Sequence, residues 1–320
     1  MASLTLDLHT HLVEKNVKPH IFWRSAIKIG LDVVGITEHV EENPRISYDL
    51  LAENKPKGIV LLPGMELNTS IGHVVAIGKS PEIYKEEKFL KKGLDIKKAI
   101  KLAEQYEMLL SIAHPWGFGY DSASYIIGEK KLEKLVEKEV LGVEVFNGMM
   151  GSVGNFVYAT NWIQKPLNFF DFLQKNRVAK KTRLDRIGRR LGKRLDKETK
   201  EVAERCAKPF ELGEKAAFIT AGSDAHYADK IGSGMIKIRT NAIKPDNASV
   251  VEMIKEKERV VWAGPRVKEM ANGQYKVFKI TPNKMEIIGG VKYATISKAK
   301  KKIRGIGSSI KERIKRNGKK

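Results

Sequence analysis

Over roughly its first 150 residues the chain alternates short runs of Val, Ile and Leu with amphipathic stretches of helical length. The apolar runs predict strands at Leu4–Leu8, Val33–Thr37, Ile59–Pro63, His73–Ile77, Leu109–Ala113 and Gly142–Phe146. Between them, Ile21–Gly30, Lys97–Tyr106 and Lys131–Lys138 carry the 3.6-residue spacing of surface helices. Strands separated by helices predict parallel β-α units, and near-continuous aliphatic runs predict strands buried on both faces. The rhythm returns at Ala217–Gly222 and Gly234–Ile238, followed by a helix at Ala248–Lys255 and a strand at Arg259–Ala263. Residues 151–212 break it. They begin with aromatics (Phe156, Tyr158, Trp162, Phe169, Phe170, Phe172) and continue with Leu184, Ile187, Leu191 and Leu195 on one helical face. Gly188 and Gly192 each weaken that helix by ~1 kcal/mol. A helical insertion fits this stretch.

Three units follow from the pattern: a barrel-like α/β domain over 1–265 carrying the insertion, a small β-rich extension at 266–297, and a tail at 298–320. Asn272-Gly273 is a hairpin-turn signal in the extension, beside β-like runs at Tyr275–Ile280 and Met285–Ile288. Ile303, Ile306, Ile310 and Ile314 among basic residues make the tail a cationic amphipathic helix or a disordered arm.

Composition narrows the class. A chain of 320 residues with 42% hydrophobic content can bury a full core. No uncharged apolar run reaches the ~18–20 residues of a membrane span. Met1-Ala2-Ser3 runs straight into the first strand, and Cys206 is the single cysteine. Both features predict a cytoplasmic protein with no disulfide framework. The net charge of +21 is concentrated in two places. Lys175–Lys200 holds twelve Lys/Arg against three acids, and Lys298–Lys320 holds eleven against Glu312, leaving the body nearly neutral.

The chemistry lies at the ends of the strands. His9 and His11, two apart on a strand, share a face, where they either grip one ion or sit as hydrogen-bonded core histidines. His39, Glu66, His114, Glu144, and Asp224 with His226 end further strands. The carboxyl ends of parallel strands share one mouth, and imidazole with carboxylate is the donor set of borderline divalent metals. Six strands delivering such groups to one end predict a metal centre; of the seven histidines, only His20 and His73 fall outside this pattern.

These motifs resemble the polymerase and histidinol phosphatase (PHP) family of metal-dependent phosphoesterases. The matching pieces are Asp7-Leu8-His9-Thr10-His11, Gly30-Leu31-Asp32 with Ile36-Thr37-Glu38-His39, Pro63-Gly64-Met65-Glu66, Gly72-His73, His114-Pro115, Gly142-Val143-Glu144-Val145-Phe146-Asn147 and Gly222-Ser223-Asp224-Ala225-His226. The resemblance covers roughly residues 1–150 and 213–265. It implies a distorted, TIM-like (β/α)7 barrel with two or three divalent ions, Zn, Mn or Fe, at its open end. By position, His9, His11, Glu66 and Asp224 hold the first ion. Glu66 bridges to a second, held also by His114 and Glu144, and His39 and His226 belong to a third. Where relatives have Asp or His soon after H-x-H, this chain offers Glu14, Asn16 and His20; relatives often carry Asp in place of Glu38, and His or Cys in place of Glu144.

The implied activity is hydrolysis of a phosphate ester by a metal-activated hydroxide, with Asp224 catalytic and His226 or His39 as general acid. Asp7 is expected to orient a ligand histidine. His73 and Asn147 are candidate substrate contacts, with Trp116 and Ser223 as further pocket candidates. A small phosphomonoester such as a nucleotide or sugar phosphate is the favoured substrate. A nuclease trimming nucleic-acid ends is the alternative, as is a non-catalytic metal protein docking on nucleic acid or membrane. The basic insertion and tail suit a polyanion, nucleic acid ahead of an anionic membrane surface.

Overall fold

The chain enters the fold through β1 (Ala2–Thr10), exposed at Ala2 and Ser3 and buried from Leu6 to Thr10. In this computed structural model, residues 2–117, 121–151, 190, 193, 204–242, 245–269 and 275–277 are described. The remaining strands of the main sheet are β2 (Val33–Ile36), β3 (Val60–Thr69), β4 (Gly72–Ile77), β5 (Leu109–Ile112), β6 (Gly142–Asn147), β7 (Phe218–Gly222), β8 (Gly234–Thr240) and β9 (Val260–Pro265). Their order is β7-β6-β5-β4-β3-β2-β1-β8-β9. The two distant strands β1 and β7 also meet: Asp224 N–H donates to His9 O at 2.7 Å, and His11 N–H to Ala225 O at 3.1 Å. The sheet is therefore nearly closed into a barrel.

The expected rhythm of parallel units holds only in part. Pairings β1–β2, β2–β3, β5–β6 and β6–β7 are parallel, whereas β3–β4, β4–β5, β1–β8 and β8–β9 are antiparallel. The reason is plainest at β3–β4. Only Ser70 and Ile71 separate the two strands, enough for a hairpin and far too few for a parallel crossover.

Helices flank the sheet: α1 (Pro19–Ile29), α2 (Pro44–Glu53), α3 (Ile96–Gln105), α4 (Ala123–Ile127), α5 (Glu129–Lys138), α6 (residues 204–215) and α7 (Asn247–Lys255). Their starts follow local chemistry. Asp95 caps α3 by accepting the N–H groups of Lys97 and Lys98, and Asp246 with Ser249 forms a capping box on α7. Ile96, Ala99, Ile100 and Ala103 then face the core from α3. Phe22, Trp23 and Ala26 do so from α1, where they join Leu51 and Ile36. Another cluster draws Leu6, Val33, Leu62, Val75, Leu109, Phe218 and Ile236 from seven strands and is closed by Val250, Val251 and Ile254 of α7. Among the described residues no helix is long and apolar enough to cross a membrane.

The aromatic and basic stretch expected as an insertion lies outside the described residues, apart from its edges and the exposed helical Arg190 and Lys193. The tail 298–320 also lies outside them. In the extension, β10 (Val267–Glu269) and β11 (Tyr275–Val277) pair antiparallel, and Asn272-Gly273 lies outside the described residues. The run Met285–Ile288 is outside the described residues.

Candidate metal centre

The site begins where β1 meets the segment after β7. A Cβ on Gly222 would overlap the backbone of His9, so the absence of a side chain there lets the two strands touch. Two site residues adopt the left-handed region that non-glycine residues rarely enter: His114 (φ 28°) and Asp224 (φ 52°). Such positions cost on the order of 1–3 kcal/mol and persist where surrounding bonds hold them. Here the Asp224 amide is tied to His9 O and the His114 amide to Glu144 Oε2 at 2.7 Å.

Carboxylates behind the two leading imidazoles fix their orientation. His9 Nδ1 lies 2.9 Å from Glu144 Oε1, and His11 Nδ1 lies 3.2 Å from Glu38 Oε1. Glu38 is fully engaged, its Oε2 accepting from the Leu12 and Val13 amides and the Ser47 hydroxyl. A carboxylate on Nδ1 places that ring proton and leaves Nε2 as a free lone pair. Both Nε2 atoms point at the same place. His9 Nε2 is 3.5 Å from Glu66 Oε2 and 3.7 Å from Asp224 Oδ1, and His11 Nε2 is 3.7 and 3.3 Å from the same two atoms. His9 Nε2, His11 Nε2 and Glu66 Oε2 are buried without a hydrogen-bond partner. An unpaired buried polar atom costs about 1–3 kcal/mol, so three converging ones call for a shared occupant. Two imidazole nitrogens and carboxylate oxygens suit a divalent cation.

The other rings surround this seat. Glu66, essentially buried, divides its oxygens: Oε2 faces His39 Nδ1 at 2.9 Å, while Oε1 faces His73 Nδ1 at 2.9 Å and His114 Nε2 at 3.1 Å. Glu14 Oε2 stands 2.7 Å from His226 Nε2 and 3.5 Å from His39 Nε2. Three further groupings thus hold donor atoms within 4.8 Å of one another: His11/Glu14/His39/His226, His39/Glu66/His73 and His73/His114/Asp121.

Electrostatics expresses the same demand. Burial disfavours charge on His9, but Glu144, Asp224 and Glu66 outweigh it and raise the pKa well above the imidazole range. His39 is pushed up to about 11 against burial by Glu66 and Glu14, and His114 to about 9, chiefly by Glu66. Burial pulls Glu66, Glu14 and Asp224 the other way, and the neighbouring imidazoles overcome it, holding all three below the usual carboxylate range. Protons on the histidines balance the acids here, a job that divalent cations perform equally.

All eight residues expected to hold metal gather at this end of the sheet. Of the three residues offered for the third site, Glu14 stands against His39 and His226, whereas Asn16 and His20 are exposed. His73, set outside the strand-end pattern, stands against Glu66. Asp7 departs from expectation. Its carboxylate touches no imidazole ring: it accepts the His9 amide at 3.4 Å and the amides of Ser223 and Gly232 at 2.8 Å, pinning the loops that follow β7 against β1. Burial pushes its pKa up to about 6 despite those bonds. Asn147 donates to Glu144 Oε2 and Asp224 Oδ2 at 3.0 and 3.2 Å, so its amide braces the acids. Beside the cluster a cleft runs between β6 and α6, lined by His114, Trp116, Asn147, Arg205 and Cys206 among others. Glu38 lay inside the Thr37-Glu38-His39 motif without being marked as the partner of His11, and Asp121 carried no sequence signal.

Comparison with known proteins agrees with this picture. The PHP-associated family model matches residues 202–258. No curated protein matches the chain. Among solved structures, PsfC from Pseudomonas syringae superposes with a TM-score of 0.52 at 14% identity, over 92% of this chain and 99% of its own. The lesion-specific endonuclease PfuEndoQ from Pyrococcus furiosus gives a TM-score of 0.50 at 14% identity, over 87% of this chain and 64% of its own. A two-domain Bacteroides vulgatus protein containing a predicted PHP-like metal-dependent phosphoesterase gives 0.44 at 20% identity, over 81% and 64%. The resemblance to the PHP family that the motifs carry is shown in the matched segment 202–258, and the fold is shared with PsfC and PfuEndoQ.

Proposed function

We propose that the protein is a divalent-metal-dependent phosphoesterase that hydrolyses a phosphate ester, built on β1–β7 as a distorted seven-stranded barrel. The observation that carries this reading is the convergence of His9 Nε2, His11 Nε2 and Glu66 Oε2, buried and unpaired, beside Asp224. His9, His11, Glu66 and Asp224 would hold one ion, Glu66 and His114 a second, and Glu14, His39 and His226 a third. Two or three such ions supply a water of lowered pKa and neutralise charge on the phosphoryl oxygens. The protein residues do the rest. Glu144 and Glu38 keep the leading imidazoles turned toward the phosphoryl site. His39 and His226 are more open than His9 and His11, with side chains 22% and 14% exposed against 1%. They stand at the mouth, where a leaving oxygen needs a proton, and Glu14 against both helps hold one on them.

A small phosphomonoester, such as a nucleotide or sugar phosphate, is the substrate we favour, because His9, His11 and Glu66 are almost wholly buried and only His39 and His226 beside them are partly open. A nuclease is the second reading. It is favoured by the two basic segments, of balance +9 and +10, and by a fold shared with an endonuclease. The test sets Mn-loaded protein against a nucleoside monophosphate panel and labelled single-stranded RNA and DNA, with Asp224→Ala as control. Phosphate released from nucleotides alone supports the first reading, and shortened oligonucleotides support the second. Turnover of any substrate that persists in Asp224→Ala refutes metal catalysis at this site.

A further inference from the structure

We propose that the second cation seat is built from Glu66 Oε1, His73, His114 and Asp121, and that Glu144 is a positioning residue rather than a ligand. The proposal rests on the metallophosphoesterase reading and departs from the ligand set that the family resemblance implies for this chain.

The commitments of Glu144 come first. Its Oε1 engages His9 Nδ1, and its Oε2 takes the His114 amide and the Asn147 side chain. Neither oxygen is left unpaired among the described residues, and Glu144 joins none of the clusters able to hold an ion. Turning it toward a metal would strand the buried His114 amide, at about 1–3 kcal/mol, and release the His9 ring.

The free donors lie on the other side of Glu66. His73 Nδ1 stands 2.9 Å from Glu66 Oε1 without the alignment of a hydrogen bond, and His114 Nε2 stands 3.1 Å from the same oxygen. The two rings cross edge to face at 5.5 Å. Asp121 completes the group, its donor within 4.8 Å of theirs and its Oδ1 buried with no partner. Local structure holds the group together. Asp121 O accepts the His73 amide at 2.7 Å, and Gly72 (φ 109°) lets the start of β4 approach the turn at Asp121, where a Cβ would overlap its backbone. The two imidazoles thus have Glu66 Oε1 at 2.9 and 3.1 Å and the Asp121 donor within 4.8 Å, and imidazole with carboxylate is the donor set of a borderline divalent ion.

Cobalt titration tests this without recourse to turnover. Metal-free full-length wild type, His73→Ala, Asp121→Asn and Glu144→Gln are titrated with Co2+. Bound equivalents are counted by elemental analysis and ligand fields read from the visible spectrum. Near-UV circular dichroism verifies the fold, and Asp121→Asn, nearly isosteric, carries the test where His73→Ala fails to fold. We expect His73→Ala to bind one equivalent fewer than wild type, and Asp121→Asn to hold its weakest ion some 10–100-fold less tightly. Glu144→Gln is expected to keep the wild-type count with weaker binding at the His9 seat. An unchanged count in His73→Ala, or a lost equivalent in Glu144→Gln, overturns the assignment. A wild type that takes up no cobalt overturns the phosphoesterase reading beneath it.

Discussion

Glu38→Gln isolates the contribution of an orienting carboxylate. Glu38 Oε2 gathers three donors at 2.7–2.9 Å while Oε1 faces His11 Nδ1 at 3.2 Å. Burial raises its pKa, but His11 and the two amides prevail and hold it at about 2, against an ordinary 4.5. A depressed carboxylate stabilises the fold above pH 4.5, and the contribution is lost as pH falls through about 2. That difference sets a scale of roughly 3 kcal/mol. Glutamine can keep its oxygen on the three donors, which turns its NH2 toward His11. Nδ1 must then accept, the ring proton moves to Nε2, and the lone pair that faces Glu66 and Asp224 is gone. The expected outcome is about 10–100-fold weaker binding of the most tightly held ion, or roughly 1.4–2.7 kcal/mol. The metal-free melting temperature should fall by roughly 4–6 °C. Competition of Mn2+ against a chromophoric chelator measures the first and calorimetry the second. A variant that loses thermal stability yet binds metal like wild type refutes the tautomer argument.

Metal uptake should release protons from histidines such as His39 and His114, held at about 11 and about 9. Apparent Mn2+ affinity therefore rises from pH 6 to 9, by up to about tenfold per unit for each proton displaced, and a flat profile refutes the premise. In the metal-free protein the sign is that of raised imidazoles: stabilisation is complete below about pH 6.5 and lost as pH rises through about 9 for His114, so melting temperature declines over that window and added metal cancels the decline. Gly222→Ala drives a methyl into the His9 backbone and should cost about 1–3 kcal/mol, with weakened metal binding; wild-type stability would show that β1 and β7 do not meet as described. Removing residues 298–320 deletes a balance of +10 and should weaken oligonucleotide binding and flatten its salt dependence, while turnover of a small chromogenic phosphate is unchanged. Binding that survives the deletion removes the tail from the substrate argument.

The legible parts of this molecule are those encoded locally. Aliphatic runs marked the strands of the main sheet, mostly within a few residues though β3 runs six residues past Pro63, because burial on both faces leaves little choice of side chain. His9 and His11 were legible because a period of two places them on one face. Strand direction was less so. Ser70 and Ile71 turn β3 back on itself, and a reading that expects helices between strands passes over a two-residue connection. That same hairpin carries His73 to Glu66, which is why His73 looked like an outlier along the chain. The orienting contacts were illegible for a stronger reason. His9 and Glu144 are 135 positions apart, His11 and Glu38 are 27 apart, and Asp7 reaches Ser223 across 216. The candidate ligands are therefore written in short motifs, whereas the orientation and protonation that would let them hold an ion depend on partners supplied by other strands. Asp7 ties the start of the chain to the loops after β7, and Glu144 ties His9 to β6. His11 gains its orienting carboxylate once β1 lies beside β2 and His9 once it lies beside β6, and Asp224 joins them only where β1 meets the segment after β7, so closure of the sheet assembles the candidate donor set.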